Sequence, residues 1–236
     1  FNGTAVIEYQ ISDSLGGEDS ALALVDINMP ENELPVITKP NDIEVDASGI
    51  FTKVELGTAT AVDKSGSSLP VTLKDKNVFF KPGVNTVLWQ TIDSNNQIAI
   101  TSQKVTVAPL IFLPKEQNAT EGFAVTVEVK LNGLSPSYPL AIPYKVSGTA
   151  QTYIDHDLAN GTLFIESGTE GEISFNVFED ELDEGDETII ISLGNGVNRS
   201  VQSSHTITIT EDDILPLVNL KVEQDNIQST IVNKKN

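Results

Sequence analysis

The chain has 236 residues, 39% of them hydrophobic and 20% charged, and 14 Lys+Arg against 34 Asp+Glu leave a formal net charge of −20. Nucleic acid is excluded as a partner, because phosphate binding needs a basic surface, and the balance is that of a globular chain of one large domain or two small ones. The longest wholly apolar run lies inside Ala108 to Pro114, far below the ~18 residues of a transmembrane helix. Cysteine is absent, so no disulfide framework, thiolate zinc site or cysteine nucleophile is available.

The chain opens at Phe1, without Met, and a strand-like alternation is already under way in Thr4 to Ile11; it reads as an excerpt from a longer polypeptide. Apolar and polar residues alternate along the whole sequence, with no helical stripe. Turn clusters at Asp63 to Ser68, Lys81 to Asn85, Asp93 to Asn96 and Gly194 to Asn198 fall between the alternating runs. This pattern predicts an all-β fold of tandem immunoglobulin-like antiparallel β-sandwiches arranged end to end.

Self-comparison divides the chain further. One constant offset lays Tyr9, Gln10, Asp13 and Ser14 on Trp89, Gln90, Asp93 and Ser94, so residues 1–29 read as the C-terminal hairpin of a preceding sandwich. A second, longer offset lays Pro109, Leu110, Leu113, Glu116 and Gln117 on Pro216, Leu217, Leu220, Glu223 and Gln224, so residues 216–236 read as the first strand of a following repeat. Two whole domains, 33–108 and 109–213, lie between, with boundaries at Pro30 to Pro35, Ala108 to Pro109 and Ile214 to Pro216. A quasi-linear repeat array is the expected organisation.

In the middle domain, Pro82-Gly83 is expected to turn the chain, Val87 and Trp89 to point inward on one strand face, and Asp93 to Asn96 to close the next hairpin. Trp89, the single tryptophan, reads as core rather than as a sugar platform. The text LPVITKPNDIEVDAS from Leu34, TATAVDKSG from Thr58 and FKPGVNTVLWQTIDSNNQ from Phe80 resembles the HYR family of immunoglobulin-like extracellular modules. Family members often carry a cysteine near Thr38, and this chain does not.

Acidity is concentrated in residues 109–213, with 18 acids against 4 bases. Glu179 to Glu187 places seven carboxylates in nine residues. Two like charges ~5 Å apart repel by roughly 3 kcal/mol at an effective dielectric of ~20, so folding such a loop calls for cations or protons. Carboxylates without His or Cys favour a hard ion, Ca²⁺, with 6–8 oxygen ligands. The spacing is not that of an EF-hand, since Leu182 and Ile191 would fall at ligand positions.

Seven strands are predicted here: Leu110 to Leu113, Val125 to Leu131, Leu140 to Val146, Gly161 to Ile165, Glu172 to Phe178, Glu187 to Leu193, and Ser204 to Thr210. If successive strands run in opposite directions, one pole of the sandwich collects Glu121, Asp155 with Asp157, Asp180, Glu184 with Glu187, and Glu211 to Asp213. A merely solvated surface would scatter its acids over both poles.

ATEG at Ala119, SGTAQTYIDHDLANGTLFI at Ser147, FEDELDEGDETIIISL at Phe178 and ITITEDD at Ile207, in that order, resemble the Calx-β family, whose Ca²⁺-binding sandwiches occur in sodium–calcium exchangers and many bacterial surface proteins. The resemblance covers residues 109–213. It implies two or more Ca²⁺ ions held by Glu121, Asp155, Asp180, Glu184, Asp212 and Asp213. Glu211 stands where the family often has Asp, Glu187 is a ligand or a neighbour, and Asp157 is an extra candidate. At the offset that lays Pro109 on Pro216, Gln228 replaces Glu121.

Only His156 and His205 could act as near-neutral bases, and both read as structural. No GxSxG, P-loop or GxGxxG text occurs, and paired carboxylates on a convex loop pole are misplaced for glycoside hydrolysis. No enzymatic activity is expected. Four sequons, at Asn2, Asn118, Asn160 and Asn198, carry little weight, since a cysteine-free acidic repeat chain is bacterial in character. The expected function is a Ca²⁺-binding structural or adhesive repeat of a secreted or cell-surface protein, with Ca²⁺ stiffening a domain junction. Its partners would be neighbouring repeats in the same chain and a cell-surface glycan or protein ligand, the chain itself being a monomer. The alternatives are a carbohydrate- or protein-binding accessory module of a secreted hydrolase, favoured by an exposed aromatic strip, and a Ca²⁺ sensor, favoured by tight affinity.

Overall fold

The computed structural model describes residues 3–12, 18–27, 34–180 and 185–210, and all of their regular structure is β-strand. The chain divides into two compact units, Phe1–Leu110 with Leu131–Tyr138, and Ile111–Lys130 with Pro139–Asn236. The all-β expectation is met in both. Among the described residues no helix is long and apolar enough to cross a membrane.

The first unit begins with β1 (Gly3–Ser12) and β2 (Glu18–Ile27), which pair antiparallel along their whole length as a two-stranded sheet. Then come β3 (Val36–Thr38), β4 (Ile43–Asp46), β5 (Thr52–Lys53), β6 (Thr60–Val62), β7 (Ser68–Leu69), β8 (Val71–Leu73), β9 (Phe79–Phe80), β10 (Gly83–Ile92) and β11 (Ile98–Ala108). They form sheets in the orders β4-β11-β10-β8, β3-β6-β7 and β5-β9. Alternation along β10 and β11 turns Val87, Trp89, Val105 and Val107 into a core shared with Val54, Leu56 and Phe80. Removing such side chains from water is worth about 1.5–3 kcal/mol each.

Trp89 is a core residue, 6% exposed, as its strand position predicts. Its indole Nε1–H donates to Gln103 Oε1 at 3.0 Å. The fully buried Gln103 in turn donates from Nε2 to the carbonyls of Asn41, at 2.7 Å, and Leu56, at 3.1 Å. A buried amide is tolerated because every one of these polar groups is satisfied. The β10–β11 hairpin closes over Asp93, whose Oδ1 accepts from the Asn95 and Gln97 amides at 2.8 Å while Asn96 takes φ 59°. Asp63 does the same for Ser65 and Ser67 between β6 and β7, with Gly66 at φ 83°. Asn and Gly tolerate these left-handed positions where other residues resist them.

The second unit contains β12 (Ile111–Phe112), β13 (Glu116–Thr120), β14 (Ala124–Leu131), β15 (Leu140–Gly148), β16 (Gly161–Ile165), β17 (Glu170–Asn176), β18 (Glu187–Leu193) and β19 (Ser204–Thr210). Its sheets run β12-β14-β17 and β13-β19-β18-β15-β16. Strict alternation in β14, β17, β18 and β19 fills the core with Val127, Val129, Phe175, Ile189, Ile191 and Ile207.

The expected first strand, Leu110 to Leu113, is shorter than predicted, and a second, unpredicted strand follows it. The chain breaks after Phe112, with Pro114 between the two pieces, and re-forms as β13, which lies parallel to β19. Pro114 offers no amide to a ladder. The sequence Glu116 to Thr120 has no apolar alternation, because an edge strand needs only its backbone to pair. The third strand runs two residues beyond the expected Val146, and the fifth ends at Asn176 rather than Phe178.

Candidate functional site: an acidic pole of the second sandwich

Strand pairing defines the pole. Thr120 pairs with Thr210, Glu187 with Ile209 and Gly148 with Ile189, so the end of β13, the end of β19, the start of β18 and the end of β15 lie together. In the other sheet Ala124 pairs with Asn176, which adds the start of β14 and the end of β17. The short connection 121–123 carries the chain from one sheet to the other at this same end.

Hydrogen bonds lock the loops of the pole to one another. The Thr188 carbonyl accepts from the Thr149 and Ala150 amides at 3.0 and 3.1 Å, and the Thr188 amide donates to Thr149 Oγ1 at 2.8 Å. The β15–β16 loop is thereby held against the residue after Glu187. This approach requires glycine at 148: φ is +136°, and a Cβ there would lie 2.0 Å from the Thr188 carbonyl oxygen.

Further along, the Asp155 carboxylate accepts from the Gln151 amide through Oδ2 and its own amide donates to Gln151 O at 2.9 Å, closing a turn around Tyr153. The Asp155 carbonyl accepts from the Phe178 amide at 2.8 Å, two residues before Asp180. The Val177 amide donates to Phe123 O at 3.1 Å, which ties the Glu121 turn to the same segment. At Gly122 (φ +74°) a Cβ would stand 2.7 Å from Glu179 Oε2, so that turn lies directly against the acidic run.

Of the sequence-predicted carboxylates, the structure places Glu121, Asp155, Asp157, Asp180 and Glu187 at this pole. Glu121, Asp155, Asp180 and Glu187 are half-buried, whereas Asp157, Glu179 and Asp186 are exposed. Glu184, Glu211, Asp212 and Asp213 lie outside the described residues. Among the described residues no three His, Cys, Asp or Glu side chains are grouped closely enough to hold a metal ion.

Asp157 differs from the others. Its Oδ1 accepts from the Asn176 amide and its Oδ2 from Asn176 Nδ2, both at 2.7 Å. These bonds, backbone first, hold its carboxyl below the usual carboxylate range. Both oxygens are thus engaged in clasping the β15–β16 loop to the end of β17. Sequence reasoning missed Asn176, a polar residue on an outward position of an alternating strand that nothing local distinguishes. It named Glu179 only as part of the acidic run and passed over Gly122 and Gly148; the glycines in TEG and SGT are the signal that could have marked two tight approaches.

The field here is one-sided. From Val146 to Asn198 the sequence holds twelve acids and neither Lys nor Arg. Nitrogen donors are turned away: His156 is 1% exposed, accepts from the Leu158 amide through Nδ1 at 3.2 Å, and packs edge-on to Phe175 with centroids 6.2 Å apart. His205 is fully buried and its Nδ1–H donates to Pro114 O at 3.0 Å. Among the described residues the charged side chains at this pole are all carboxylates, the donor chemistry of a hard cation. The apolar Phe123, Tyr153 and Ile154 stand exposed at the same pole.

No protein-family model matches the chain, and no curated protein matches it. Among solved structures it is similar to CBD12 from CALX1.2, with 24% identity and a TM-score of 0.38 over 44% of this chain and 45% of that one. It is similar to the apo-form Calx CBD1 domain, with 23% identity and a TM-score of 0.39 over 45% of this chain and 99% of that one. Across 89% of its length it is similar to mouse Cadherin-23 EC22-24, which it matches over 74% of that chain with 10% identity and a TM-score of 0.37. The chain thus spans less than half the length of the CBD12 structure.

Proposed function

We propose that the chain is a non-enzymatic, Ca²⁺-binding structural and adhesive repeat of an extracellular or cell-surface protein, and that residues 109–213 form a Calx-β-type sandwich binding two or more Ca²⁺ ions at its acidic pole. The observation that carries this reading is that Glu121, Asp155, Asp180 and Glu187, each half-buried, lie at one pole on loops bonded to one another, with no Lys or Arg between Val146 and Asn198. Carboxylates brought to one end of a sandwich repel one another, and a bound cation relieves that repulsion. Glu184, Glu211, Asp212 and Asp213 would complete the oxygen set. Asp157 would act chiefly as a clasp that fixes Asp155.

Because the chain leaves β19 at this pole, bound ions would stiffen the exit toward whatever follows Asp213. With free Ca²⁺ at ~100 times its dissociation constant, each site adds about 2.7 kcal/mol to the folded state. The test is calorimetric titration of the chelator-stripped protein with Ca²⁺, beside thermal melts of wild type and of Asp180→Ala combined with Glu184→Ala. Saturable binding of two or more ions, with a melting gain that the double variant loses, is the expected result. No heat and no melting shift at millimolar Ca²⁺ would refute it.

A further inference from the structure

Asparagine followed by glycine is prone to lose its side-chain amide, because no Cβ on the second residue shields the backbone nitrogen that attacks. Such pairs stand at Asn2, Asn132, Asn160 and Asn195. The first lies outside the described residues, and the fold treats the other three differently. Reaction needs the asparagine Cγ to swing onto the next amide nitrogen, so it needs a side chain and a backbone that are free to turn.

Asn132 is held by both ends of its amide. Its Oδ1 accepts from the Leu110 amide and its Nδ2 donates to Gly49 O, both at 2.7 Å. Pro82 stands against the following glycine, where a Cβ on Gly133 would lie 3.0 Å from Pro82 Cβ. Asn160 is exposed, but its Oδ1 accepts from the Val146 amide at 2.7 Å, and Gly161 opens β16, paired with Tyr144. Turning either side chain onto its own backbone breaks these bonds first, so reaction there waits on local opening.

Asn195 has no such restraint. The β18–β19 connection is pinned at Gly194, whose amide donates to Pro143 O at 2.7 Å, and at Asn198, whose carbonyl accepts from the Ile111 amide at 2.9 Å. Between these points residues 195–197 form no hydrogen bond with any described residue. Asn195 and Gly196 are both exposed, and a Cβ built on Gly196, at φ +86°, would meet nothing within 4 Å.

We infer that Asn195 is a site of spontaneous deamidation, the one that the folded chain leaves reactive among its described Asn-Gly pairs. Hydroxide takes the Gly196 amide proton, and the nitrogen attacks Asn195 Cγ. The new N–Cγ bond closes a succinimide while the Cγ–Nδ2 bond breaks, and the departing nitrogen takes a proton from water and leaves as ammonia. Water then opens the ring at one of its two carbonyls. One opening gives aspartate and the other isoaspartate, in which the main chain runs through the former side chain. Either product adds a negative charge to a chain already at −20. The bonds at Gly194 and Asn198, with the Leu193 amide donating to Ser203 O at 2.9 Å, confine the change to the turn. This turn follows the end of β18 remote from Glu187, so the reaction does not depend on ions at the acidic pole.

Peptide mapping by mass spectrometry, on the full chain aged in chelator at neutral and at mildly alkaline pH, tests it. Asn195 should convert at least about tenfold faster than Asn132 and Asn160, faster still at the higher pH, with both aspartate and isoaspartate in its peptide. Gly196→Ala should slow it about tenfold or more. In urea strong enough to unfold the chain, the three pairs should convert at similar rates, because only the fold separates them. Conversion at Asn195 no faster than at the other two in the folded chain would overturn the inference. So would a difference that persists in urea, or a rate untouched by Gly196→Ala.

Discussion

Replacing Gln103 with Leu keeps the side-chain volume near that of the amide and removes three hydrogen bonds at once. The Trp89 indole N–H and the Leu56 carbonyl are left in a dry core, whereas the Asn41 carbonyl, on an exposed residue, can turn to water. Each stranded buried group costs roughly 1–3 kcal/mol, partly offset by the added apolar burial, so a loss of about 2–4 kcal/mol is expected. Trp89→Phe strands the Gln103 oxygen and empties the space of the pyrrole ring, at a similar cost. The two changes remove the same bond, so the double variant should fall short of the sum by about 1–3 kcal/mol. Urea unfolding followed by circular dichroism, with exchange of the buried Val105 amide as a local probe, measures all four corners of the cycle. A loss for Gln103→Leu no larger than that of an ordinary surface substitution, about 0.5 kcal/mol, or strict additivity, would show that the amide is a passenger in an apolar core and refute the reasoning.

Two glycines at the acidic pole should respond differently to alanine. Gly148→Ala drives a Cβ onto the Thr188 carbonyl, which the β15–β18 pairing holds in place, and should cost roughly 3–5 kcal/mol or prevent folding of the second unit. Gly122→Ala meets the end of the flexible Glu179 side chain and should cost about 1–2 kcal/mol; comparative melts distinguish the two. Burial pushes the His205 imidazole below its ordinary value, outweighing the opposing bond to Pro114 O, and its Nε2 has no hydrogen-bond partner among the described residues. The folded chain therefore binds this proton less readily than the unfolded one. The stability His205 contributes is complete above the ordinary imidazole range and is lost as pH falls through it. Melting temperature should drop between pH 7 and pH 5 more steeply in wild type than in His205→Phe; equal slopes would refute the assignment.

The period-2 alternation and turn clusters determined the all-β class and, in the second unit, most strand positions, because a strand that buries one face must write that face into every second residue. The repeat that lays Tyr9 on Trp89 carried the β1–β2 pairing for the same reason. The sharing of one pole by Glu121, Asp155, Asp180 and Glu187 followed from strand connectivity, since loops that join antiparallel strands at the same end must meet. Tertiary structure alone decided β13, whose polar residues contribute a backbone edge and no pattern. It alone decided that Asp157 is spent on Asn176, that Gln103 satisfies Trp89 across the core, and that Gly148 admits the Thr188 carbonyl. Each of these joins residues distant in the chain through one hydrogen bond or one missing Cβ, and such a pairing leaves no periodic trace in either segment.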